Sequence, residues 1–137
     1  MNQYNITLEI KAPVSYYRVH WSPFIRLSKE RIRSTVPSEA GIFQVFLNKK
    51  GNLDLLGTHQ AYYGGLRSIF LEIMDEDCQV SFPDKEKLRS EETYIRYALS
   101  SSKDVLRDIL HHFTGSESSG RFEEILVEEK ETMKVAR

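Results

Sequence analysis

The sequence predicts a small α+β domain, an α/β-layered arrangement in which a small mixed β-sheet is flanked by helices. Three observations carry that prediction. Two segments hold apolar stripes at i, i+3, i+4 and i+7, which is one face of a helix: Leu66, Ile69, Phe70, Ile73 in one, Leu106, Ile109, Leu110, Phe113 in the other. Residues 41–47, "GIFQVFL", are apolar except for Gln44, the pattern of a strand covered on both faces. The chain has 137 residues, 40% of them apolar and 28% charged, enough for one soluble core. A single domain over residues 1–137 is expected.

Taken in order, "NITLEIKA" alternates apolar and polar residues and reads as a half-buried strand. "YYRVHW" either continues it or pairs with it. In "SPFIRLS", Pro23 discourages regular structure. "SKERIRSTV" reads as a short helix capped by Ser28, and Pro37 closes the segment. "GIFQVFL" is then a central strand, "NKKGNLD" a turn and "LLGTH" a short partner strand. The first apolar stripe comes next, with Met74 extending it. "CQVSFPDKEKLRSEE" is a polar connection. "TYIRYAL" is another strand. Ser101 opens the second helix, with Asp104 placed as in a capping box, and Gly115 supplies a left-handed stop. "GSESSG" is a flexible joint. "RFEEILVEEKETMKVAR" is either a last strand with a tail or a charged helix.

Composition excludes several function classes. No apolar run approaches the ~18 residues of a membrane span. The start of the chain lacks a basic segment followed by an apolar one, so no secretion signal is expected. The single cysteine, Cys78, forms no internal disulfide and no cysteine zinc site, and a cytoplasmic location is expected. The net charge of −1 hides an asymmetry: residues 1–50 carry eight Lys/Arg and three Asp/Glu, residues 51–137 eleven and seventeen. The basic half either faces phosphate or is neutralised by the acidic half in the fold.

The stretch Gly41-Ile42-Phe43, eleven residues, then Leu55-Leu56-Gly57, followed by a helix bearing Arg67, resembles the GIY-YIG nuclease superfamily. That family's signature is a Gly-Ile-Tyr strand, a similar gap, a Tyr-Ile/Val-Gly strand and an arginine-bearing helix. "TYIRYAL" and "SSKDVLRDILHHF" stand where the family has its third strand and a later helix. The resemblance implies a GIY-YIG-like core at about 36–113, an N-terminal strand and helix extension over 1–35, and a charged segment over 121–137.

The resemblance also implies a hydrolytic site, and this chain departs from it. The family's two motif tyrosines, one of which helps deprotonate the attacking water, are here Phe43 and Leu55, which neither donate nor accept a proton. Loss of a positioned base costs ~10²–10⁴-fold. Arg67 has the chemistry of the family's phosphate-stabilising arginine but lies late in the spacing; aligning Leu66 with the family's leucine puts apolar Ile69 at the arginine position. The family's glutamate metal ligand has Asp108 as its nearest counterpart, one methylene short. Gly41, Ile42, Phe43, Leu55, Leu56 and Gly57 therefore read as a vestigial motif packed as core.

Three functions stay open. The first is a GIY-YIG-like domain that has lost nuclease activity and binds nucleic acid, DNA or RNA, or a protein partner. Arg26, Arg31, Arg33, Lys49 and Lys50 would form its phosphate-tracking face, with Trp21, Tyr16 and Tyr17 as stacking platforms. The second is a divergent nuclease needing Mg²⁺ or Mn²⁺, with Arg67, a base relocated to His59, Tyr62 or Tyr63 before a helix N-terminus facing phosphate, and Asp108 on the metal. The third is a structural or oligomeric protein without a ligand at the cleft. No cofactor is expected outside the nuclease reading. His111-His112 lie about 100° apart on a helix and do not share an ion.

Overall fold

A computed structural model describes residues 4–75, 77, 82–115 and 120–126, and the backbone of 134–136. Cys78 and most of "GSESSG" lie outside the described residues. Strand β1 (Ile6–Lys11) turns back at Ala12-Pro13 into β2 (Val14–His20), its antiparallel partner. "YYRVHW" therefore pairs with the first strand and does not extend it. The short β3 (Ile25–Arg26) comes next, despite Pro23. Helix α1 (Lys29–Thr35) starts at Ser28, whose hydroxyl accepts the Arg31 amide at 3.2 Å, and stops before Pro37.

The chain then forms its longest hairpin, β4 (Gly41–Lys49) and β5 (Asn52–Ala61). Lys50 and Gly51 join them with φ of 52° and 86°. Two positive φ angles in a two-residue loop make a type I′ turn, whose twist matches that of the strands. The partner strand runs ten residues, through "THQA", where the sequence suggested a short one. Helix α2 (Gly65–Met74) carries the first predicted stripe, and Leu66, Phe70 and Ile73 are buried. Helix α3 (Lys85–Ser90) occupies part of the predicted polar connection, anchored by buried Leu88. Strand β6 (Thr93–Leu99) matches "TYIRYAL".

Helix α4 (Lys103–Phe113) is capped by Ser102, which accepts the Val105 amide at 3.2 Å. This corrects the expected cap at Ser101. Asp104 falls one position short of a capping box and instead meets Arg107 at 3.3 Å. Gly115, φ 84°, supplies the left-handed stop. Strand β7 (Arg121–Ile125) resolves the start of the last segment as strand, and β8 (Lys134–Ala136) lies beyond it.

The α+β class holds, but the strands divide between two sheets. One has the order β1-β2-β7, the other β3-β6-β4-β5-β8. Each is mixed: β2–β7 and β5–β8 are parallel, the other pairs antiparallel. The division has a plain cause. A five-stranded sheet centred on β4 buries both its faces, which does not suit polar-alternating "ITLEIK"; that strand, expected to be half-buried, is exposed from Thr7 to Lys11 because it is the outer strand of the smaller sheet.

One face of the five-stranded sheet packs Phe43, Val45, Ile95 and Tyr97 against α1, α2 and α3. The other packs Ile42 and Ala98 against Leu106 and Ile109 of α4, and there Tyr17 and Val19 of β2 join, with Trp21 just after that strand. Helix α4 thus touches both sheets. Gly41 is required by close approach: a Cβ there would lie 2.5 Å from the Ala98 carbonyl oxygen. Among the described residues no helix is long and apolar enough to cross a membrane.

Candidate functional site

Gly41-Ile42-Phe43 and Leu55-Leu56-Gly57, expected to be a vestigial motif, lie on the central hairpin, where a β-bulge governs which way their side chains point. Val45 faces Gly57 but Phe46 faces Leu55, so Leu56 is the extra residue. On a regular strand residues 55, 57 and 59 would share a face. Here Gly57 and His59 point with Phe43 and Val45 toward α2, whereas Leu55 points with Phe46 to the other side. Phe43 is fully buried, as expected of a motif turned into core, but Leu55 is 41% exposed. The bulge, not packing, accounts for that correction. The two positions that carry the family's tyrosines project from opposite faces.

Around Phe43 the structure assembles an aromatic cluster. Its ring meets Phe70 edge-on at 4.8 Å, His59 at 5.5 Å and Phe82 at 6.1 Å. His59 faces Phe43 from β5 and Tyr97 faces it from β6, a row of three across three strands. Burial lowers the His59 pKa below its ordinary value, against the pull of Asp84, so the ring is neutral near pH 7. Burial raises the Tyr97 pKa, so its phenol stays protonated. Gly57 makes room for the histidine; a Cβ there would come 2.9 Å from His59 Nε2.

The groups expected to handle phosphate are engaged elsewhere. Arg67 donates from Nε to the Val36 carbonyl at 2.8 Å. The N-terminus of α2, expected to face phosphate, is filled by its own chain. The Leu66 amide donates to Glu39 O at 3.0 Å and the Arg67 amide to Pro37 O at 3.2 Å. Gly65 permits that contact, since a Cβ would sit 2.4 Å from Ser38 O.

The "THQAYYGG" residues do not converge. His59 lies on the α2 side. Tyr62 packs with the α4 cluster, and Tyr63 is 82% exposed. Lys103 stands over both tyrosine rings, at 4.9 and 4.4 Å, and donates to the Tyr63 hydroxyl. Asp108 also belongs to α4. It accepts a hydrogen bond from the Tyr17 hydroxyl at 2.5 Å and lies 3.7 Å from Arg107. Burial, with that hydrogen bond, pushes the Tyr17 pKa up to about 12. Arg67 and Asp108 thus sit on helices against opposite faces of one sheet. No group of three or more ligating side chains placed to hold a metal occurs among the described residues. His112 stacks on Phe122 at 4.0 Å, and His111 is exposed.

The basic residues are partly neutralised. Arg26 pairs with Glu92 at 3.6 Å and Lys49 with Asp54 at 3.4 Å. Arg18 pairs with Glu123 at 3.5 Å. These pairs join the basic half of the sequence to the acidic half. Arg31 and Arg33 are exposed on α1, and Lys50 is in the hairpin turn. Of the expected stacking platforms, Trp21 and Tyr17 are core and only Tyr16 is exposed.

A buried polar network on the α4 side escaped the sequence reading. Arg96, 2% exposed, donates from Nε to Gln44 Oε1 at 2.9 Å and approaches Glu124 at 3.5 Å. Gln44 donates to Thr58 at 3.1 Å, and the Trp21 indole donates to Glu124 at 2.9 Å. The guanidinium lies over Trp21, Phe24 and Phe46 at 4.7, 5.3 and 5.4 Å. Among the described residues no buried side-chain nitrogen or oxygen lacks a partner. A cleft of about 500 Å³ lies apart from this network and from the motif, lined by Asn5, Thr7, Glu39, Ser100 and Ser101 among others.

Fold and site together define a two-sheet α+β domain whose motif hairpin is packed as core on one face. Residues 5–137 match the model of a family described as "Uncharacterised protein", and the chain belongs to that family. No curated protein and no solved structure matches it.

Proposed function

We propose that this chain is a GIY-YIG-like domain without nuclease chemistry, acting as a binding module for another protein. The observation that carries the reading is the fate of Arg67. Its guanidinium and the helix N-terminus beside it bind the chain's own carbonyls at residues 36–39, where a nuclease would present them to phosphate. Three further facts support it. Phe43 is sealed in an aromatic cluster. The candidate set His59, Arg67 and Asp108 is split by the sheet. Two of the five expected phosphate-tracking cations are paired to carboxylates. The function proposed needs no metal.

The test is a salt titration of binding to single-stranded, duplex and branched DNA with Mg²⁺ or Mn²⁺ present. Neither cleavage nor salt-dependent binding is expected. Cleavage lost on Arg67→Ala overturns the proposal in favour of a relocated site. Affinity that falls on Arg31→Ala and Arg33→Ala with a flatter salt slope makes the ligand a nucleic acid.

A further inference from the structure

We propose that two copies of this chain associate through β1, edge to edge and antiparallel, about a two-fold axis at Ile10. This gives the module its binding surface, and it rests on the reading above only in taking the ligand to be a protein.

Strand β1 is the outer strand of its sheet. The His20 amide donates to Asn5 O at 3.1 Å, so odd residues of β1 turn their backbone groups toward β2 and even residues turn theirs outward. The Leu99 amide donating to Tyr4 O on the outer side agrees with this phase. Beyond that contact, the amides and carbonyls of Leu8 and Ile10 face outward, and no strand covers them among the described residues. Their side chains are also unusually open, Leu8 at 40% and Ile10 at 68%. Of the edge strands among the described residues, β3 has two residues, β8 three and β7 five, and β1 with six is the longest. A long apolar edge of this kind is a template for another strand.

The sequence of β1 selects its own copy and one register. A two-fold axis at Leu8 would place a strand across Ile6, where Leu99 already bridges to Asn5. An axis at Glu9 sets two carboxylates directly opposite each other, which is repulsive. An axis at Ile10 pairs Ile10 with itself and Leu8 with Ala12. It also sets Glu9 of each copy opposite Lys11 of the other. Apolar residues then line one face and two opposite-charge pairs the other, a self-complementary arrangement proper to an isologous dimer. The contact is small beside the ~1,200 Å² of stable interfaces, so association is weak, with Kd on the order of 100 μM.

Sedimentation equilibrium of the full chain over a concentration series through that range tests it. The average mass is expected to rise above the 16.0 kDa of one chain. Ile10→Lys, on an open side chain, returns it to monomer. Glu9→Lys weakens association, and adding Lys11→Glu restores it. A chain monomeric throughout overturns the proposal while leaving the absence of nuclease chemistry intact, since that is read separately from cleavage. A dimer indifferent to Ile10→Lys, or not restored by the charge exchange, overturns it as well.

Discussion

On the side of α2, the five-stranded sheet is closed by aromatic and aliphatic side chains gathered round Phe43. On the side of α4, the same strands hold Thr58, Gln44 and Arg96 in line, ending on Glu124 of the other sheet and on Trp21 just beyond β2. The first face is packing around Phe43. The second is where polar groups survive, and they serve as a joint. Sliding one sheet over the other would leave a buried guanidinium without its carboxylate, so the network fixes a single arrangement of the two sheets. Among the described residues the buried polar groups mark a seam between layers.

The contrast is broken most severely by emptying its apolar side. Phe43→Ala is expected to cost about 3–5 kcal/mol in chemical unfolding, because the cluster of Phe70 and Phe82 cannot close the gap. Arg96→Met attacks the other face and costs about 3 kcal/mol, leaving Gln44 Oε1 without the Arg96 donor and taking one partner from Glu124, to which the Trp21 indole still donates. Its mark is specific. Pairing it with Gln44→Leu should cost less than the two changes summed, whereas pairing it with Phe43→Ala should be additive.

Placing tyrosines at positions 43 and 55 sharpens the same comparison. Phe43→Tyr puts a hydroxyl among apolar rings and is expected to lose about 1–3 kcal/mol without any cleavage appearing. Leu55→Tyr, on a partly exposed side chain, stays within about 0.5 kcal/mol. Metal-dependent cleavage by the double variant would show that Phe43 was the missing base and not a packing residue.

The smallest effects are read by pH. His59 has a depressed pKa in the fold, so the stability tied to its neutral form is present above its ordinary value of 6.5. That stability is lost as pH falls below 6.5 toward the folded value. Tyr17 is the reverse case on the α4 side. Its pKa is raised from 10.0 to about 12, so the fold loses stability as pH rises from 10 toward 12. Thermal melts should therefore show His59→Leu flattening the acid limb and Tyr17→Phe the alkaline one. Exchanged effects would mean that the two faces have been assigned the wrong way round.

Much of the fold was legible because periodicity reports burial. The stripes on α2 and α4, the caps at Ser28 and Gly115 and the covered strand β4 all follow from local chemistry. The division into two sheets was not legible, since strand pairing is decided between distant segments. Helix α3 has one buried anchor, Leu88, too few to make a stripe. The site was less readable still. The faces of Leu55 and His59 depend on a bulge with no sequence mark of its own. The polar network did leave a signal: Gln44 and Arg96 are each the lone polar residue at the centre of an apolar run, and they face each other across β4 and β6.

The bulge at Leu56 also has a consequence for motion. It interrupts the hydrogen-bonded ladder of the longest hairpin near its middle. The part nearer the turn, with Lys50 and Gly51, is held by β8 as well as by β4. The part nearer Gly41 is held by the aromatic cluster. Two segments anchored separately across a gap in their ladder need not open together. Amide hydrogen exchange should therefore divide the hairpin at this residue, with Leu56 losing protection before Phe43 and His59 on one side of it. In dynamic terms the β4–β5 hairpin is expected to behave as two cooperative units sharing one strand.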